Sequence, residues 1–146
     1  GIDLTPAMLD RLKKKYSNRD VTLIEADYMA YELGTERYDA AVSFQTLHHF
    51  THEEKLALYR KLRQALKAGG CYIECDYMAE TQEQEDYFFA EKERLEKEQN
   101  LVKGEYYHFD TPCTMDHQKR LLKQAGFSSV EVVWRQENTT ILYAKR

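Results

Sequence analysis

Cysteine is scarce and unpatterned in this chain: Cys71, Cys75 and Cys113 form no CxxC pair. An odd count without such a pair fits a reducing compartment rather than a disulfide-built secreted fold. Were Cys71 and Cys75 on one strand, their Cα atoms would lie roughly 13 Å apart at about 3.3 Å per residue, beyond disulfide reach. Long apolar runs are missing too. No segment approaches the roughly 20 residues that a bilayer span requires, and no charged-then-apolar leader opens the sequence. A cytoplasmic protein without a membrane partner is therefore expected. Clustered basic charge is the third absence. The net charge is −4, and the lysines and arginines are interspersed with glutamates, so nucleic acid is not an expected partner.

What is there suits an ordinary folded domain. Of 146 residues, 42% are apolar and 32% charged, enough to build one core without disulfides or a structural metal. Thr5 and Pro6 carry the cap and first-position signals of a helix. Met8, Leu9, Leu12 and Tyr16 then recur at helical spacing, opposite Arg11, Lys13, Lys14 and Lys15, until about Ser17-Asn18. Residues 21–25 read as a short strand and 38–44 as a nearly unbroken apolar one of the buried parallel kind. Thr51-His52-Glu53-Glu54 has capping-box spacing, and Leu58, Tyr59, Leu62 and Leu66 continue a helix that Lys67-Ala68-Gly69-Gly70 ends. A strand over 71–75 follows. Strands alternating with helices through short links predict right-handed βαβ crossovers and a parallel α/β sheet.

The segment from Glu80 to Asn100 has no Gly or Pro, is highly charged, and predicts a helix belonging to an insertion over about 80–112. Another helix runs from Thr114 to a left-handed terminator at Gly126. Residues 130–134 and 139–144 predict a closing antiparallel hairpin joined by 135–138. No repeat or second domain is evident, so a single domain over 1–146 is expected.

Several residues carry chemistry. Asp3, ending a strand, could accept hydrogen bonds from ribose hydroxyls or simply cap the next helix. His48 and His49 could serve as a base or hold a turn. With His52 they tempt a metal reading, but no Cys or carboxylate completes a recognised ligand spacing, so no metal is expected. Ser43 lies in no GxSxG elbow, which argues against a hydrolase triad.

The order of these elements, with Gly1-Ile2-Asp3 before the Thr-Pro helix, Ala26-Asp27-Tyr28, the run from Tyr38 to Leu47-His48-His49-Phe50, and Leu66-Lys67-Ala68-Gly69-Gly70, resembles class I S-adenosylmethionine-dependent methyltransferases. The resemblance spans almost the whole chain. It implies a Rossmann-like α/β sheet, mostly parallel, with a C-terminal antiparallel hairpin. It also implies S-adenosyl-L-methionine as cofactor and in-line methyl transfer to a small-molecule acceptor. Asp3, with Leu4, would hold the ribose. Asp27 would accept from the adenine amino group, with Tyr28 beside it. Phe44 and Gln45 would line the path of the methionyl portion. Tyr106, Tyr107 and His108 fall in a segment that resembles the acceptor-side cover, where Asp110 or His108 could take a proton.

The family's opening strand and glycine-rich turn do not occur in the sequence, which therefore reads as the larger, C-terminal part of such a domain. Were it complete, unsatisfied sheet edges would invite pairing, and a homodimer would be expected. Two other readings stay open: a non-catalytic binding or assembly module with this fold, and a dehydrogenase using the same ribose contact.

Overall fold

A two-residue strand, β1 (Ile2–Asp3), leads into helix α1 (Pro6–Lys15), and β1 pairs in parallel with a second two-residue strand, β2 (Ile24–Glu25). The computed structural model describes residues 1–100 and 109–146, which divide into two units, Gly1–Leu33 and Gly34–Arg146. In the first unit Thr5 occupies the cap position of α1, but its hydroxyl makes no capping bond. The expected packed face of α1 is not buried either: Met8 is 53% and Tyr16 41% exposed. A ladder of two short strands offers a ten-residue helix too little surface to cover it. The strand expected over 21–25 is likewise shortened to its last two residues.

The second unit is built on a mixed sheet. Strand β3 (Tyr38–Phe44) is followed by a turn of 3₁₀ helix at Leu47–His49, helix α2 (His52–Ala65) and strand β4 (Leu66–Tyr77). The β3–α2–β4 unit is the predicted crossover, since β3 and β4 pair in parallel with Val42 opposite Ile73. Helix α2 begins at a complete capping box. Thr51 Oγ1 accepts from Glu54 N, while the Glu54 carboxylate accepts from Thr51 N at 2.8 Å, satisfying two of the helix's orphan donors. The Lys67–Gly70 stretch, expected as a helix terminator and link, lies within β4. The pairing shifts register between Tyr38 and Ala40, absorbing the extra residues as an irregularity rather than a loop.

Helix α3 (Gln82–Glu98) fits the charged segment read as helical. Helix α4 (Met115–Gln124) ends in a Schellman pattern. Phe127 N donates to Leu122 O at 3.2 Å, Gly126 N donates to Lys123 O at 2.9 Å, and Gly126 supplies the required left-handed backbone at φ 98°. Strands β5 (Ser129–Gln136) and β6 (Thr139–Lys145) form the predicted hairpin, with longer arms and a tighter turn than expected. The strand order is β3-β4-β6-β5, with β6 antiparallel to both neighbours.

Alternate residues of β4 and β6, among them Tyr72, Glu74, Leu142 and Ala144, are buried, as are Leu58 and Tyr59 of α2 and Leu121 and Leu122 of α4. Fully burying each Leu contributes roughly 1.5–3 kcal/mol. β3 departs from expectation, because Val42 is 70% and Phe44 71% exposed. It is an edge strand of this sheet, and an edge carries fewer neighbours than the buried central position its apolar run suggested.

Candidate functional site

Parallel strands deliver their C-terminal ends to one edge, where ligands of α/β sheets collect. In the first unit that edge carries the carboxylates of Asp3 and Asp27. Asp3 is the last residue of β1 and Asp27 stands two positions beyond β2, in a ladder that pairs Asp3 with Glu25. Each closes a turn on itself. Asp3 Oδ1 accepts from Thr5 N at 2.7 Å, and Asp27 Oδ1 accepts from Met29 N at 2.8 Å, so each carboxylate is oriented by its own backbone. The Asp3 bond is an Asx turn onto the cap residue Thr5, and its second oxygen, Oδ2, is further acceptor capacity. Leu4 is 51% exposed beside Asp3, and Tyr28 is half-buried.

Phe44 and Gln45 belong to the second unit, where Phe44 ends β3 and Gln45 follows it. Gln45 adopts φ 49°, a left-handed conformation uncommon for a residue with a side chain, and its N–H donates to Cys75 O at 2.8 Å. That sharp turn aims the chain into the Leu47–His49 turn. Backbone strain of this kind concentrates at functional sites.

Just beyond it lies a hydrogen-bonded polar group centred on Asp76. Asp76, nearly at the end of β4, accepts from Leu47 N at 2.7 Å and Tyr77 N at 2.8 Å, and its Oδ1 lies 2.5 Å from His48 Nδ1. A carboxylate only accepts, so in the neutral imidazole this bond calls for the proton on Nδ1 and the lone pair on Nε2. Asp110 Oδ1 stands 3.8 Å from His48 Nε2 and 3.2 Å from His49 Nδ1. The Asp76 side chain is 2% exposed, His48 11% and Asp110 52%, a gradient from an anchored acid to a solvent-facing one. Thr111 ties the far side down by donating from its N and Oγ1 to His48 O.

Beneath Asp76 on the same face of β4, Glu74 is fully buried. It accepts from Tyr59 Oη at 2.8 Å and Tyr72 Oη at 3.1 Å, and also from Gln118 Nε2. Burial, reinforced by the neighbouring Asp76 charge, pushes the Glu74 carboxyl up to about 7.

Of the residues predicted from sequence, Asp3, Leu4, Asp27 and Tyr28 gather at one strand edge, and Phe44 and Gln45 at another. Tyr106, Tyr107 and His108 lie outside the described residues. Sequence reasoning missed Asp76, because it ended the strand at Cys75. The i, i+2 repeat of carboxylates at Glu74 and Asp76, on the same face of a strand, is the signal that could have extended it.

Residues 1–70 match a family model described as a methyltransferase domain. An uncharacterized methyltransferase of Oceanobacillus iheyensis is 29% identical over 109 residues, covering 73% of this chain and 50% of that protein. A carboxy-S-adenosyl-L-methionine synthase of Helicobacter hepaticus is 27% identical over 156 residues, covering 100% of this chain and 64% of its own. The chain thus spans half to just under two-thirds of the length of these relatives. Among solved structures, a SAM-dependent methyltransferase from Leishmania major superposes with a TM-score of 0.70 at 16% identity, over 99% of this chain and 53% of that one. Over residues 1–70 the chain is thus similar to methyltransferase domains, and it shares the fold of solved S-adenosylmethionine-dependent methyltransferases.

Proposed function

We propose that the protein binds S-adenosyl-L-methionine and transfers its methyl group to a small-molecule acceptor. The observation that carries this reading is the placement of Asp3 and Asp27 at the same C-terminal edge of the β1–β2 ladder. Two carboxylates there, each held by a backbone turn, fit a ligand that offers ribose hydroxyls to one and an exocyclic amine to the other. Asp3 is assigned the ribose and Asp27 the adenine, with Leu4 and Tyr28 as apolar walls and Phe44 and Gln45 beside the methionyl portion. When bound, the ligand's sulfonium supplies an electrophilic methyl group.

The protein's own part is then to position the acceptor and receive its proton. His48 suits the second task. Asp76 fixes the tautomer, Nε2 is the basic nitrogen, and Asp110 stands near enough to stabilise the imidazolium that forms. The acceptor-side role of Tyr106, Tyr107 and His108 belongs to the same proposal, as do a homodimer and a cytoplasmic setting.

A second reading follows from the relatives named as carboxy-S-adenosyl-L-methionine synthases, which match this chain over its full length. In that reading the adenosyl ligand is itself the molecule modified. Incubation with methyl-labelled S-adenosylmethionine and mass analysis of the products separates the two. Label leaving on an acceptor, with S-adenosylhomocysteine formed, supports methyl transfer; label retained on a heavier adenosyl product contradicts it.

A further inference from the structure

The N-terminal ends of α2, α3 and α4 meet in the second unit, and each brings a metal-binding type of side chain. His52 is the first residue of α2, Glu85 lies in the first turn of α3, and Cys113 and His117 flank Thr114, the cap of α4. One ligand atom from each of the four falls within 4.8 Å of the other three. His52 Nε2 lies 3.0 Å, and His117 Nδ1 2.6 Å, from the same carboxylate oxygen, Glu85 Oε1. The other oxygen of Glu85 accepts from Thr114 N at 2.5 Å, which pins the carboxylate with Oε1 turned toward the two rings.

We infer that His52, Glu85, Cys113 and His117 form a tetrahedral site for a zinc-class divalent cation, one that clamps the starts of these three helices. Zinc bonds of 2.0–2.3 Å place tetrahedral ligands roughly 3.3–3.8 Å apart. The ring nitrogens need therefore withdraw from Oε1 by about 1 Å or less to admit the ion. The donor set, two imidazoles, a carboxylate and a thiolate, matches a borderline-soft metal. Four protein ligands describe a closed, structural site rather than one with a position left for substrate.

The buried Lys55 Nζ lies 3.1 Å from Cys113 Sγ and 3.1 Å from Thr111 O, so a cation already faces the sulfur and its N–H donates to a thiolate better than to a thiol. As the metal–sulfur bond forms, the thiol proton passes to solvent. With Glu85 and Cys113 both anionic, the charge of a divalent ion is neutralised. The Glu85 and Cys113 atoms are buried while the His52 and His117 side chains are 30% and 22% exposed, so entry is from the imidazole side. Spacing along the chain set a metal aside because His52 has no partner nearby in sequence; Glu85 is 33 residues away.

Cobalt(II) titration of the purified protein, followed by zinc competition, tests the inference. The expected result is one cobalt per chain with intense tetrahedral visible bands and a sulfur-to-cobalt charge-transfer band, all displaced by zinc. Cys113→Ser should remove the charge-transfer band, and His117→Gln should weaken binding at least tenfold. In the unmutated protein, zinc should slow alkylation of Cys113 while leaving Cys71 unaffected. A cobalt spectrum without sulfur charge transfer, a band surviving in Cys113→Ser, or alkylation of Cys113 indifferent to zinc would each overturn the site.

Discussion

Asp76 Oδ1 and His48 Nδ1 are 2.5 Å apart, joined across 28 residues of sequence at the point where β4 ends beside the turn that follows β3. The pair fixes which imidazole nitrogen faces outward, and that selection is the basis for assigning His48 as the proton acceptor. Replacing Asp76 with Asn offers Nδ1 either an amide oxygen or an amide N–H, so the tautomer is no longer determined.

His48→Ala should therefore lower the methyl-transfer rate by roughly 10²–10⁴-fold, the usual worth of a positioned base. The affinity for S-adenosylhomocysteine should stay within about twofold, since His48 has no part in holding the adenosyl group. Asp76→Asn should reproduce most of the rate loss. Turnover read by release of S-adenosylhomocysteine, alongside calorimetric affinity, checks both numbers. A loss of affinity equal to the loss of rate would assign these residues to structure instead.

Asp27 gives a chemical discrimination. A carboxylate that accepts from the adenine amino group disfavours S-inosylhomocysteine, which presents a carbonyl oxygen there. The preference for the adenosyl ligand should reach tenfold or more, from a charged hydrogen bond worth about 1.5–3 kcal/mol. In Asp27→Ala that preference should collapse toward unity. Equal binding of the two ligands by the unmutated protein would remove Asp27 from the site.

Glu74 makes stability depend on pH in a direction opposite to most carboxylates. Its carboxyl is held at about 7 when folded, against 4.5 as its ordinary value. Between these values the folded state keeps a proton that the unfolded chain has released, so stability falls as pH rises. The contribution is fully present below about 4.5 and lost on passing about 7; a shift of this size corresponds to a few kcal/mol at most, at about 1.4 kcal/mol per unit. Glu74→Gln, neutral throughout, should lose less stability than the unmutated protein between pH 5 and 8. Urea unfolding at several pH values measures this, and parallel curves for the two proteins would show that Glu74 is ionised throughout.

Thr51→Ala removes one half of the capping box at the start of α2. The expected cost is about 1 kcal/mol, read as a lower urea midpoint with unchanged slope. An unaltered midpoint would mean that α2 is held by packing alone.

Local rules recovered much of this architecture. The Thr51 capping box, the Gly126 terminator, the β3 bounds and the final hairpin each depend on neighbouring residues and were legible as such. What failed depended on distant ones. The apolar run of β3 predicted a buried strand, but exposure is set by its place at the sheet edge, which no local pattern encodes. The Lys67–Gly70 stretch carries a helix-stop signature, yet pairing with β3 draws it into β4. Asp3 was singled out from a strand end and Asp27 from the family resemblance, and both lie at the C-terminal edge of the β1–β2 ladder. Asp76 was missed with the last two residues of its strand, and the His52, Glu85, Cys113 and His117 cluster was invisible because three helices from separate parts of the chain assemble it.

The central claim, that Asp3 and Asp27 grip one adenosyl ligand, is tested most directly by calorimetric titration of S-adenosylhomocysteine into the protein and into Asp3→Asn. Asn preserves an oxygen to accept from Thr5 N, so the turn survives while the charge facing the ribose is lost. The account predicts saturable one-to-one binding that weakens about tenfold or more in Asp3→Asn, with thermal stability little changed. Absence of saturable heat in the unmutated protein, or equal affinity in the variant, would contradict it.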